Sequence, residues 1–223
     1  MHQERLHLTP REAVVVLSER VRALEAETHR RIAVGLAGGP GVGKSTLGAE
    51  LVAELDRLRP GGAALVPMDG FHMRHSKLEA LGIAADKGAA HTFEGEAFVA
   101  FLQRLKAAAE PVSGPGYSRK IEDVVDDAFV VPAGAQALVV EGNYLLLSEP
   151  PWSGVRPLLE LAVFLEVPRE RVRARLLKRH AAEGLFTEER NKLHVERVDL
   201  ANYDRVRLSA PAADIVVELD TEA

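Results

Sequence analysis

The run Gly38-Gly39-Pro40-Gly41-Val42-Gly43-Lys44-Ser45-Thr46 puts backbone freedom, one cation and adjacent hydroxyls in a single short stretch. From Gly38 to Ser45 it fits the pattern of a glycine, four residues of any kind, then Gly-Lys-Ser. Glycines let successive backbone N–H groups turn inward and form a concave anion site. The apolar run Ile32-Ala33-Val34-Gly35-Leu36-Ala37 enters this loop and a helical pattern leaves it. The first turn of that helix adds its unsatisfied N–H groups and positive dipole end. This predicts a nucleoside-triphosphate site in which Lys44 reaches the β- and γ-phosphates and the Ser45 hydroxyl ligates Mg²⁺.

Two acids stand at the ends of apolar runs. Asp69 follows Ala-Leu-Val-Pro-Met and opens Asp69-Gly70-Phe71-His72, while Glu141 follows Ala-Leu-Val-Val and opens Glu141-Gly142-Asn143-Tyr144. In parallel sheets ligands sit at the carboxyl ends of strands, where these acids would lie. Phosphoryl transfer to an alcohol needs one carboxylate to orient the hydroxyl and take its proton, and a second can hold Mg²⁺. Asp69 is assigned the base role and Glu141 the metal side, with an exchange of the two roles as the alternative.

A third group is cationic. Arg169, Arg171, Arg173, Arg175, Lys178 and Arg179 crowd one predicted helix against the single acid Glu170. Arg171, Arg175 and Arg179 share a face at i, i+4, i+8. A migrating phosphoryl group needs such forked donors when water is excluded, so a closing lid over 168–186, hinged near Gly184, is expected. The acceptor pocket is expected between Asp69 and the segments after it, with His72, Arg74, His91, Tyr117, Arg119 and Lys120 as candidates. Hydroxyl and carboxylate partners would suit a neutral polyol, whereas Arg119 and Lys120 leave a phosphorylated acceptor open. The histidines show no H-x-x-x-H spacing, so no zinc site is expected.

These groups need rigid elements to hold them. Thr9-Pro10-Arg11-Glu12 carries a capping hydroxyl, a first-turn proline and the glutamate of a capping box, so residues 1–30 read as an N-terminal helix. Helices are further predicted over 44–58, 94–109, 168–182 and 187–208, and strands over 32–37, 63–68, 137–140, 161–165 and 214–219. Apolar strands alternating with helices give a parallel sheet covered on both faces. With no repeat and no long linker, residues 1–223 read as one domain.

Composition removes other classes. The 223 residues carry 28 Lys+Arg and 33 Asp+Glu, a net −5, which disfavours general nucleic-acid binding. There is no cysteine, hence no disulfide or thiolate chemistry. No signal-like or membrane-spanning run is evident, so a cytoplasmic protein is expected. Nothing points to an oligomer, and none is excluded.

Taken in order, Gly38–Ser45, Asp69-Gly70-Phe71-His72, His91-Thr92-Phe93-Glu94, Glu141-Gly142-Asn143-Tyr144 and the Arg-rich segment after Pro168 resemble the P-loop kinase family of phosphoribulokinase, uridine kinase and type I pantothenate kinase. The similarity is strongest to bacterial nucleoside/nucleotide kinase-like and fructose-transport-system kinase-like members, and covers roughly residues 30–220. The resemblance implies a nucleoside-monophosphate-kinase-like α/β/α fold with an Arg-rich lid. It also implies ATP and Mg²⁺ as donor and cofactor, transfer of the γ-phosphate to a sugar, nucleoside or pantothenate-like hydroxyl, Asp69 as base, and Glu141 in the Walker B position. Arg175 and Arg179 match the lid arginines, although the aspartate that often follows them in relatives is His180 here, and Tyr117 is followed by serine where relatives commonly have aspartate. The alternative is an ATPase or GTPase switch with no small-molecule acceptor. Against a guanine reader, Asn191-Lys192-Leu193-His194 ends in histidine and lacks the paired acceptors of aspartate.

Overall fold

Residues 3–184 and 187–220 are described by a computed structural model of the chain. Residues 185 and 186 of the expected lid, and residues 1, 2 and 221–223 of the expected domain, lie outside the described residues. In chain order the elements begin with β1 (Glu4–Leu8), α1 (Pro10–Thr28), β2 (Ile32–Ala37), α2 (Lys44–Leu58), β3 (Ala63–Pro67) and α3 (His75–Ala80). After these come α4 (Gly95–Ala107), β4 (Val112–Ser118), β5 (Asp123–Val131), β6 (Ala137–Gly142) and β7 (Leu161–Glu166). The chain closes with α5 (Arg169–Glu183), α6 (Glu188–His194), α7 (Leu200–Arg207) and β8 (Ile215–Leu219).

Six parallel strands form the main sheet in the order β1-β8-β7-β2-β6-β3. Their side chains alternate between two apolar layers, as strand geometry requires. Ile32, Val34 and Leu36 of β2 face the layer built with α1, α2 and α5, while Ala33 and Ala37 face the layer built with α4. β7 divides likewise, with Leu161, Val163 and Leu165 on one side and Ala162 and Phe164 on the other. Each fully buried leucine of these layers, such as Leu17, Leu36 or Leu51, contributes about 1.5–3 kcal/mol.

Helix α1 starts as its sequence dictates: Thr9 accepts from the Glu12 N–H, and the Thr9 N–H donates to Glu12 Oε2 at 2.9 Å. The reading of residues 1–30 as helix alone needs correction, because β1 precedes α1 and pairs with β8. This edge strand spans only five positions, opens with two charged residues in succession, and has a partner distant in sequence. The antiparallel β4–β5 hairpin was not expected either. Its Gly114-Pro115-Gly116 and its acids Asp123, Asp126 and Asp127 read as turn and loop, and the pairing shifts register between Gly114 and Gly116. The helix expected over 187–208 is divided, with a wide π-type turn at Val195–Asp199 between α6 and α7.

Adjacent β2 and β6 place the glycine loop and Glu141 at one sheet end, with β3 delivering Asp69 beside them. Gly41 and Gly43 have φ of 75° and 103°, the left-handed region that lets the loop curl. Gly70 serves a different need: a β-carbon there would collide with the carbonyl oxygen of Pro115, so its absence lets β4 press against the turn that carries Asp69.

Candidate functional site

A cleft of about 620 Å³ opens at the carboxyl ends of β2, β3 and β6. Its loop side is lined by Pro40, Gly41, Val42, Gly43, Lys44, Ser45 and Thr46; Gly38 and Gly39 belong to the loop but not to the lining. Lys44 is buried, and its ammonium donates to the Gly39 carbonyl at 2.9 Å and to Asn143 Oδ1 at 2.7 Å. An ammonium has three N–H donors, so one remains for a ligand. Burial presses the Lys44 pKa below its usual value, with Glu141 and Asp69 opposing the shift. A polyanion entering the cleft would restore what burial takes away.

Ser45 donates to Glu141 Oε1 at 3.1 Å, joining the two residues assigned to a metal. Glu141 is 4% exposed, and burial, followed by the charge of Asp69, raises its pKa to about 7. A hydroxyl and a buried carboxylate are hard oxygen donors of the kind Mg²⁺ takes, beside a loop shaped for phosphates. The residues present therefore fit that ion.

Asp69 is half-buried in the one-turn helix Met68–Phe71 and lines the same cleft. The His72 ring ties the turn down, its Nδ1–H donating to the Asp69 carbonyl at 2.8 Å. That ring lies between Phe93 and Tyr117, at centroid distances of 3.9 and 4.5 Å. Burial holds His72 below its ordinary pKa of 6.5, only partly offset by the Asp69 charge. The folded state thus favours the neutral ring. This contributes stability that is present above pH 6.5 and lost as pH falls through the depressed folded value. Wild-type Tm should therefore drop more steeply between pH 7 and pH 5 than that of His72→Gln, by thermal melts across about two pH units. Equal slopes would show that this ring protonates as easily folded as unfolded.

The other acceptor candidates separate. Tyr117 and Arg119 join His72 in the lining, together with Lys87 and Glu122. Arg74, His91 and Lys120 are not part of it. Arg74 forms a fork to Asp126 at 2.6 and 2.7 Å, and exposed His91 pairs with Asp86 at 3.1 Å. Lys120 is exposed in the hairpin turn.

On the opposite wall α5 packs Val172 and Leu176 over the glycine loop, with Leu176 close to Gly41. Arg175 and Arg179 line the cleft, and Arg175 Nη1 donates to the Gly41 carbonyl at 3.4 Å. Arg169 and Arg173 instead pair outside with Asp204 at 3.2 Å and Glu196 at 2.5 Å. Asn191 and Lys192 do not line the cleft. Sequence reasoning passed over Asn143, Lys87, Glu122, His180 and His194 as site residues, all of them in the lining. Asn143 follows Glu141 in the quoted motif and carried the only local signal. The others come from elements joined by the fold.

No family model matches the chain. A Schizosaccharomyces pombe protein named as a candidate uridine kinase is 37% identical over 206 residues, covering 88% of this chain and 87% of that protein. A Nitrobacter hamburgensis pantothenate kinase is 31% identical over 170 residues, 72% of this chain and 54% of that enzyme. The crystal structure of a candidate fructose transport system kinase from a Silicibacter species matches with a TM-score of 0.83 and 32% identity, covering 94% of this chain and 98% of that one.

Proposed function

Because the chain belongs to the P-loop kinase family that includes the uridine and pantothenate kinases, we propose that it transfers the γ-phosphoryl group of ATP to a hydroxyl of a sugar, nucleoside or pantothenate-like acceptor. The observation that carries this reading is the presence of Asp69 in one cleft with Lys44 and the Ser45–Glu141 pair. A site for hydrolysis or signalling has no need of the second, half-buried carboxylate beside an aromatic wall.

The glycine-loop amides and the remaining Lys44 N–H bind the triphosphate. Ser45 and Glu141 would hold Mg²⁺, which when bound neutralises charge on the phosphate oxygens. Asp69 accepts the proton of the acceptor hydroxyl as that oxygen forms its bond to the γ-phosphorus and the bond to the ADP oxygen breaks. Arg175 and Arg179 supply donors to the migrating group, and α5 acts as the lid that brings them in. His72 and Tyr117 offer the acceptor an apolar and hydroxyl wall. Arg74, His91 and Lys120 lie outside the lining of this cleft.

The test is ADP release, measured with and without uridine, cytidine, pantothenate, fructose, ribose and ribulose 5-phosphate. One acceptor class should raise ADP release at least about tenfold over the alcohol-free rate, with a phosphorylated product recovered. ATP turnover indifferent to every alcohol would overturn the transferase reading in favour of the ATPase. Among the described residues no helix is long and apolar enough to cross a membrane.

A further inference from the structure

Away from the Ser45–Glu141 pair, three ligating side chains converge from three elements. His180 stands near the end of α5, His194 ends α6, and Asp199 ends the π-type turn. Their donor atoms all lie within 4.8 Å of one another. His180 Nε2 and Asp199 Oδ2 are 2.9 Å apart, and the two imidazoles stand edge to face with centroids separated by 5.4 Å. Asp199 is buried, the histidines are partly covered, and all three line the rim of the cleft.

We infer that His180, His194 and Asp199 form a binding site for one divalent transition-metal ion of the zinc class, distinct from the Mg²⁺ position. Two imidazole nitrogens and one carboxylate oxygen are the donor set such ions prefer, and a hard oxygen-seeking cation does not compete well for it. Metal–ligand bonds of about 2.0–2.2 Å in a tetrahedron set donor atoms about 3.4 Å apart. The present spread needs shifts of only about 1 Å, with the His180–Asp199 hydrogen bond exchanged for coordination. Three protein ligands leave a fourth position, and the cleft is the open side. A bound ion would clamp the end of α5, one residue from Arg179, onto α6 and the turn. The local spacing rule missed the group because its members are 14 and 5 residues apart in sequence.

The experiment uses the untagged full chain, stripped with a chelator, exchanged into chelator-free buffer and titrated with Co²⁺ and with Zn²⁺ without nucleotide. One equivalent should bind, with the intense visible absorption of a four-coordinate cobalt site, and Zn²⁺ should displace it. His194→Ala should weaken binding at least tenfold and erase the spectrum, and so should Asp199→Asn. Ser45→Ala should leave both unchanged. Circular dichroism of His194→Ala, whose side chain is partly exposed, checks the fold. If that variant fails to fold, Zn²⁺-dependent protection of His180 and His194 from diethylpyrocarbonate in the wild-type chain decides instead. The inference is overturned by no binding below about 0.1 mM, by binding that survives His194→Ala, or by binding abolished by Ser45→Ala.

Discussion

Replacing Asp69 by asparagine is expected to lower kcat of the responding substrate by about 10²–10⁴-fold while leaving the Kd for ATP within a few-fold. Asparagine keeps the size of the side chain and can still hydrogen-bond a hydroxyl, but it cannot take a proton at neutral pH. The phosphate grip belongs to the glycine loop and Lys44, which the substitution does not touch. Single-turnover phosphate transfer and calorimetry with a non-hydrolysable ATP analogue separate the two effects. A kcat within a few-fold of wild type would remove Asp69 as the base. Rescue of the variant by raised Mg²⁺ would move Asp69 to the metal side and leave Glu141 as the base.

Glu141→Gln should give the second large effect, with opposite signs for turnover and stability. Glutamine preserves the acceptor for Ser45 but removes the charge that would hold Mg²⁺, so turnover should fall about 10²-fold or more and its Mg²⁺ requirement should rise. In the free protein the same charge is unfavourable, since burial and Asp69 raise the folded pKa from 4.5 to about 7. A raised folded pKa favours the protonated form, so its stabilising contribution is present below pH 4.5 and is lost as pH rises through about 7. By pH 8 the buried charge opposes folding. With chelator present, Glu141→Gln should therefore melt above wild type at pH 8, and the gain should shrink toward zero by pH 5. A variant that is both inactive and less stable at pH 8 would mark Glu141 as a structural acid.

The sequence made the phosphate end of the molecule readable and left the acceptor end obscure, for a physical reason. Gly38–Ser45, Asp69 and Glu141 sit where buried strands stop, and a buried parallel strand announces itself as a short apolar run. Arg175 and Arg179 were legible through helical spacing, since α5 is one continuous element. Lys87 and Glu122 carry no such signal, being surface-type residues that only the tertiary arrangement brings to the cleft. Arg74 and His91 were drawn in by proximity to Asp69 in sequence, yet each is satisfied by an acid outside the cleft. β1 and the β4–β5 hairpin were unreadable because their alternation is broken by charge, glycine and proline. The π-type turn hid inside a pattern that reads as a single helix.

The β4–β5 hairpin shares no hydrogen-bonded strand with the main sheet, yet its tip places Tyr117 and Arg119 opposite Lys44, and Gly70 is its docking seat. On the function proposed above, this hairpin would read the acceptor, while the triphosphate would be held by loops at the ends of the central strands. On that reading, the stretch from Tyr117 to Glu122 is where substitutions would redirect the chain to another alcohol without disturbing its hold on ATP.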